Sequence, residues 1–317
     1  MKNLISAACL ALGATLAFAS AAQAAGTVRD GTVVDIKPDR IILMDIARAG
    51  DRLVTVGERG FALLSDDAGK SWRAVGTPVT RTLTGIAFQD AKLGVAVGHG
   101  GSLVRTEDGG ATWTAVELED TGSDSLLGVA SLGGGRFVAY GAFGLYFDSA
   151  DGGRTWERRR ILAEDFEAHI SQVLPAHDAL WLVGETGTLA RSEDGGATYT
   201  ALPSPYLGSF FGIVEAQDGA LVIFGMRGNV FRSADNGATW QRIELGTTTS
   251  LNGGRVLPDG RILLVGNSGL VAESSDNGLT FNVEWSPAGK GFSALAEVPG
   301  GVVVAGASGV GMLDAAL

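Results

Sequence analysis

Apolar residues in this chain come in short runs, each closed by glycine or by a cluster of polar turn formers. Residues 82–118 show the scheme: TLTGIAF, LGVAVG, SLVRT and TWTAVEL follow one another. β-Branched and aromatic residues alternate with small ones, and turn residues sit in every gap. Alternation of this kind predicts four short β-strands, and beyond residue 24 no stretch has a helical period of useful length.

Two signatures fix the register of the repeat. The first is Ser/Thr-x-Asp-x-Gly-x-Ser/Thr-aromatic, starting at Ser65, Thr106, Ser149, Ser192, Ser233 and Ser274, 41 to 43 residues apart. The second, Gly-x-x-Gly at the end of an apolar run, starts at Gly57, Gly98, Gly141, Gly184, Gly225, Gly266 and Gly306; the last copy has no acidic box after it. A fixed period near 42 means units that bury their apolar faces against neighbours. Four strands per unit, seven times over, predict an all-β, seven-bladed β-propeller as a single domain over residues 25–317. The seventh unit has three strands, and the run GTVVDIKP at 31–38 is the expected fourth, closing the ring and covering an open edge.

Residues 1–24 read as a secretory signal peptide: Lys2, a long apolar run, and Ala22-Gln23-Ala24 as the cleavage site. The expected location is the periplasm or outside the cell, with no membrane insertion once the signal is removed. Cys9, the only cysteine, lies in that segment, so thiol chemistry and disulfides are not expected of the mature chain. A formal net charge of −11 argues against a nucleic-acid partner. The 48 glycines suit many tight turns.

Each acidic box falls between the third and fourth strands of its blade. Its aspartate (Asp67, Asp108, Asp151, Asp194, Asp235, Asp276) is suited to accept backbone N–H bonds within the turn, and the glycine two residues on permits a positive φ. The closing aromatic (Trp72, Trp113, Trp156, Tyr199, Trp240, Phe281) is expected to pack between blades. A calcium loop needs more carboxylates than these turns carry, and His99 and His169 have no evident third ligand, so neither a metal nor another cofactor is expected.

The boxes resemble BNR or Asp-box repeats, which occur in sialidases, in other glycoside hydrolases and in propellers without catalysis. The fuller unit, a V-G-x-x-G strand end followed by S-x-D-G-G-x-T-W across seven blades, resembles the photosystem II assembly and stability factor family. That resemblance implies a monomeric, non-enzymatic scaffold that binds a membrane-protein complex on its periplasmic or lumenal side. It also implies an arginine patch, for which Arg59, Arg81, Arg158, Arg160 and Arg227 are the candidates. With His99, Phe143, His169 and Glu185 they form the candidate partner-binding face, gathered from Gly-x-x-Gly turns and interblade loops. Aligning the blades on those turns places Leu83, Leu126, His169, Phe210 and Leu251 at the channel mouth.

The alternative is a sialidase-like or other glycoside hydrolase. A sialidase needs an arginine cluster, a tyrosine nucleophile polarised by a glutamate, and an acid/base aspartate. Asp39-Arg40-Ile41-Ile42 keeps the Arg-Ile of that family's signature and lacks its Pro, and Tyr206 is the one tyrosine on a candidate loop. A carboxylate pair such as Asp45 with Glu185 or Glu215 is the other way to build such a site. No catalytic set stands out from the spacing.

Overall fold

The computed structural model describes residues 27–29, 32–34 and 36–314; residues 1–24, expected to be a signal peptide, lie outside them. Blade one is built from Leu43–Ala49, Arg52–Gly57, Phe61–Ser65 and Arg73–Gly76, antiparallel and paired in sequence order. Blades two to six repeat this order, and the seventh sheet holds Phe292–Val298, Gly301–Gly306 and Gly309–Asp314. Each first strand touches the first strand of the next blade, and that of blade seven touches that of blade one. The molecule is the all-β, seven-bladed propeller that the repeat predicts.

The core is divided in the same way. Seven apolar clusters occupy the seven seams: Val54, Val56 and Leu64 of blade one pack on Leu83, Ile86 and Val104 of blade two, for example. The glycine that opens each Gly-x-x-Gly turn lets the second strand lie against the start of the first. A Cβ on Gly57 would stand 2.1 Å from the carbonyl oxygen of Ile42, and one on Gly266 2.1 Å from that of Ser250. Glu58 N–H instead donates to the Ile42 carbonyl at 2.9 Å, fixing the turn on the first strand.

Residues 36–38 meet blade seven. Val310 N–H donates to the Pro38 carbonyl at 3.1 Å, and Ile36 is buried between Ala294, Val303 and Ala305 of blade seven and Leu43 and Phe61 of blade one. The expected fourth strand of blade seven is not formed among the described residues: Thr32–Val34 pairs with Thr27–Arg29, which packs against the outer strand Arg73–Gly76 of blade one, and the seventh sheet is a three-stranded ladder.

The supposed channel-mouth column needs correcting. Leu83, Leu126, Phe210 and Leu251 are fully buried in the seams, each opposite the first glycine of its turn. The equivalent in blade four is Ile170, opposite Gly184, and not His169. Every first strand shifts register directly after this residue, so the next one (Met44, Thr84, Leu127, Ser171, Phe211, Asn252, Ser293) lines the bore.

Candidate functional site

The Asp-box loops form one face of the disc, and hydrogen bonds account for their consensus position by position. In blade five the Ser233 hydroxyl donates to Asp235 Oδ1 at 2.8 Å and accepts the buried Gly237 N–H at 2.8 Å. Thr239 donates its N–H to Asp235 Oδ1 and its hydroxyl to Oδ2, at 2.8 and 2.5 Å. The other five boxes repeat these bonds. Both carboxylate oxygens are thus committed to the turn. The Thr239 hydroxyl and N–H, then Ser233, hold Asp235 down at about 2. Asp151 also lies at about 2, because hydrogen bonds from Thr155, Ser149 and Arg154 outweigh the desolvation that opposes them. Three of the four closing tryptophans bond back to the loop: Trp72, Trp113 and Trp156 donate Nε1–H to the carbonyls of Gly69, Gly110 and Gly153 at 3.0–3.1 Å, whereas the buried Trp240 Nε1–H has no acceptor among the described residues. Among the described residues no cluster of three His, Cys, Asp or Glu is placed to hold a metal.

The boxes also lock neighbouring blades together, which the sequence alone did not disclose. A Cβ on the box glycine would touch the preceding blade: Gly110 meets Val54, Gly153 meets Val95, Gly237 meets Trp181 and Gly278 meets Val222. In four of the six boxes the carbonyl before that glycine is taken by an arginine of the preceding blade. Arg52 reaches Gly109, Arg105 reaches Gly152, Arg136 reaches Gly195 and Arg232 reaches Asn277, at 3.1, 2.5, 3.0 and 2.7 Å.

The opposite face carries the Gly-x-x-Gly turns. The second residue after the opening glycine is left-handed in each of the first six blades. It is glycine at Gly100 (φ 64) but Arg59 (φ 60), Phe143 (φ 51), Thr186 (φ 54), Arg227 (φ 57) and Ser268 (φ 57) elsewhere. Left-handed backbone costs a non-glycine residue about 1–2 kcal/mol, so five blades retain a side chain where glycine is strain-free. Three large apolar side chains lie exposed on this face: Ile42 (46%), Phe143 (54%) and Leu207 (86%). Leu207 was missed; its only sequence signal is an apolar residue in the Pro- and Gly-bearing loop 203–208.

The structure brings Phe143, His169 and Glu185 together. The Phe143 and His169 rings meet edge to face at 5.1 Å, and Glu185 Oε2 accepts the His169 backbone N–H at 3.2 Å and lies 3.8 Å from its Nδ1. Arg81 lies over the Gly100 position of the next turn, beside His99, whose Nδ1 is 3.0 Å from the Ser125 hydroxyl. Arg227 accompanies its own turn, tied through its N–H to the Ser250 hydroxyl. Arg158 ends the outer strand Glu157–Arg158 and reaches back to the Asp120 carbonyl at 2.7 Å; Arg160, just beyond, pairs with Glu164. These two stand on the rim, apart from the cluster.

The residues proposed for hydrolysis are dispersed. Tyr206 packs on Phe210 and Phe231. Asp45 lines the central channel of about 520 Å³, Glu185 belongs to its turn, and Glu215 lies 3.5 Å from His177. Asp45 bridges two blades: its Oδ1 accepts Ile46 N–H at 2.8 Å and its Oδ2 accepts Ile86 N–H at 2.9 Å. Burial raises it to about 6, against those two amides and Arg255. Gln172 makes the corresponding bridge from blade four to Ile213 N–H.

The ring of boxes and the decorated turn face define an Asp-box β-propeller. The family model described as photosynthesis system II assembly factor YCF48 matches residues 64–277, and the chain belongs to that family. A curated relative, the photosystem II assembly lipoprotein Ycf48 of Synechococcus sp. (strain CC9902), is 25% identical over 154 residues. That alignment covers 48% of this chain and 46% of the relative, so the chain spans about half the length of the curated relative it matches. A solved YCF48 bound to a D1 peptide superposes with a TM-score of 0.72 at 17% identity, covering 87% of this chain and 93% of that one. YCF48 from Cyanidioschyzon merolae gives 0.70 at 15%, covering 87% and 96%. The WD40 propeller domain of Doa1 also gives 0.70, at 11% and covering 87% and 94%. Likeness at these identities is one of fold alone.

Proposed function

We propose that this protein is a non-enzymatic scaffold that binds a protein partner on its Gly-x-x-Gly face and aids assembly of a membrane-protein complex. It works in the periplasm or outside the cell, reached through the signal sequence at 1–24. Family membership supports the assembly role, and a family relative solved with a D1 peptide supports a polypeptide partner. The observation that carries the reading is the left-handed position of the turns. Five blades keep a non-glycine residue at a strained site, arginine at Arg59 and Arg227 and an exposed phenylalanine at Phe143. Arginine and aromatic anchors at the centre of a rigid face are what protein interfaces use.

The test is affinity capture from membranes of the native organism with the mature protein, identified by mass spectrometry. The expected result is a stoichiometric membrane-protein complex whose capture falls at least tenfold in the Arg59→Glu/Arg227→Glu double variant, with an unchanged thermal melt. Undiminished capture by that variant moves the binding site off this face. An empty capture, together with turnover in a glycan-hydrolysis screen, replaces the scaffold by the hydrolase.

A further inference from the structure

Toward the Asp-box end of the bore, the fifth residue of the first strand is small or apolar in six blades. It is Ala47, Ala87, Ala130, Leu174, Val214 or Ala296, each paired with the residue three before the opening glycine of its turn. The same pairing, with Leu263, puts Arg255 there in blade six. Arg255 lines the central channel of about 520 Å³, and Ala47, Ala87 and Ala130 leave room across the ring from it. The residues lining the channel fall between 44 and 295, all of them described.

Arg255 is held at one point. Its Nε donates to the Leu295 carbonyl of blade seven at 3.2 Å, while its terminal nitrogens make no hydrogen bond among the described residues. Nη1 lies 3.8 Å from Glu297 Oε2. Arg48, the other arginine of the channel wall, leans on the same carboxylate, its Nη1 3.6 Å from Glu297 Oε1 and 3.1 Å from the Glu297 carbonyl. Asp51 approaches Arg48 at 3.9 Å from open solvent, where such a pair is weak. Two guanidiniums thus share one partly buried carboxylate. Asp45 and Tyr140 are the other ionisable side chains of the wall, and burial keeps Tyr140 protonated.

With Asp45 protonated, this end of the channel carries one positive charge in excess, inside a chain of formal net charge −11. A cavity lined by one sign of charge draws in ions of the other. A guanidinium with free terminal N–H groups matches an oxyanion in charge and geometry. Ser131, Ser171 and Ser293 add hydroxyl groups to the wall. We propose that the bore is a binding site for a small hydroxycarboxylate, with its carboxylate on Arg255 and its hydroxyl on the serine-bearing wall. Asp45 faces the same space and makes the site pH-dependent. Burial raises Asp45 to about 6. Below that value it is neutral, and above it a second carboxylate charge opposes the ligand. Affinity therefore falls as pH rises through about 6, and binding takes up a proton. Neither Arg59 nor Arg227 lines the bore, so the site does not depend on placing a partner on the turn face.

The experiment is a calorimetric titration of lactate, a monoanion between about pH 5 and about pH 7.5, into the mature protein. Saturation of a single site is expected at about pH 5, weaker by about tenfold or more at about pH 7.5. Arg255→Ala is expected to weaken binding to the same extent at about pH 5, and Arg242→Ala, on the outer strand of blade five, to leave it unchanged. Asp45→Asn is expected to bind at the higher pH as the wild type does at the lower, without proton uptake when buffers of different ionisation heat are compared. Thermal melts establish that each variant is folded. Should the alanine variant not fold, Arg255→Lys, which keeps the charge and loses the planar fork, takes its place. Undiminished binding by the Arg255 variant overturns the proposal, as does a pH dependence that survives in Asp45→Asn. Absence of saturation at the lower pH leaves a channel that holds water alone, and overturns it as well.

Discussion

Ser233 shows how much one small side chain carries. It is 1% exposed, and its hydroxyl is both the acceptor for a buried amide and a donor to the box aspartate. Replacing it by alanine strands the Gly237 N–H without a partner, a loss of about 1–3 kcal/mol. Ser233→Ala is therefore expected to lower the denaturation midpoint by that amount at unchanged slope, measured in urea at neutral pH; a midpoint equal to wild type means another acceptor reaches the amide. The consensus made these roles legible, since a hydroxyl, an aspartate, a glycine and a second hydroxyl at fixed spacing describe a self-bonded turn. The clamping arginines were not legible. Arg52 and Arg136 start a second strand while Arg105 and Arg232 sit on a third, so no single column of the repeat marks them.

At the scale of the element, each strand was readable and its exact facing was not. Glycine-aligned repeats place Leu83 and its equivalents correctly in register, but the shift immediately after them turns these residues into the seam and the following ones toward the bore. A one-residue change in a structure of period two exchanges faces, which is why a correct alignment still misassigned the channel mouth. The segment before blade one is the other case. Ile36 is 6% exposed in the seam between blades one and seven. Ile36→Ala is expected to cost about 2–5 kcal/mol, as a cavity in a core position does, read as a lower melting temperature with the transition still cooperative. An unaltered melt would show that the ring closes without this side chain.

For the whole molecule the charges set a pH optimum. Asp151 and Asp235 titrate near 2 in the fold against an ordinary 3.8. Below the folded value both states are protonated, and as pH rises from about 2 to about 4 the unfolded chain holds more protons, so stability increases. Asp45 has the opposite sign. Raised from 3.8 to about 6, it keeps its proton in the fold while the unfolded chain has lost it, so stability falls as pH rises from about 4 to about 6. The expected curve of denaturation midpoint against pH climbs through the first window and declines through the second. Asp45→Asn should flatten the decline and leave the climb. A decline that persists in this variant would place its origin in other groups.

The sequence by itself determined the repeat, the number of blades, the strand order, the chemistry of the acidic turns and the family. All of these rest on interactions within one unit of about 42 residues, and a pattern repeated six or seven times reports them redundantly. Only the tertiary structure decided what happens between units: which arginine crosses a seam, which first-strand residue faces the bore, that Asp45 and Gln172 bridge adjacent blades, and that Phe143, His169 and Glu185 meet. Those contacts join residues about 16 to 60 positions apart through the angle at which one blade packs on the next. That angle is set by the fit of seven seams around a closed ring, a condition on the whole chain that no single repeat contains.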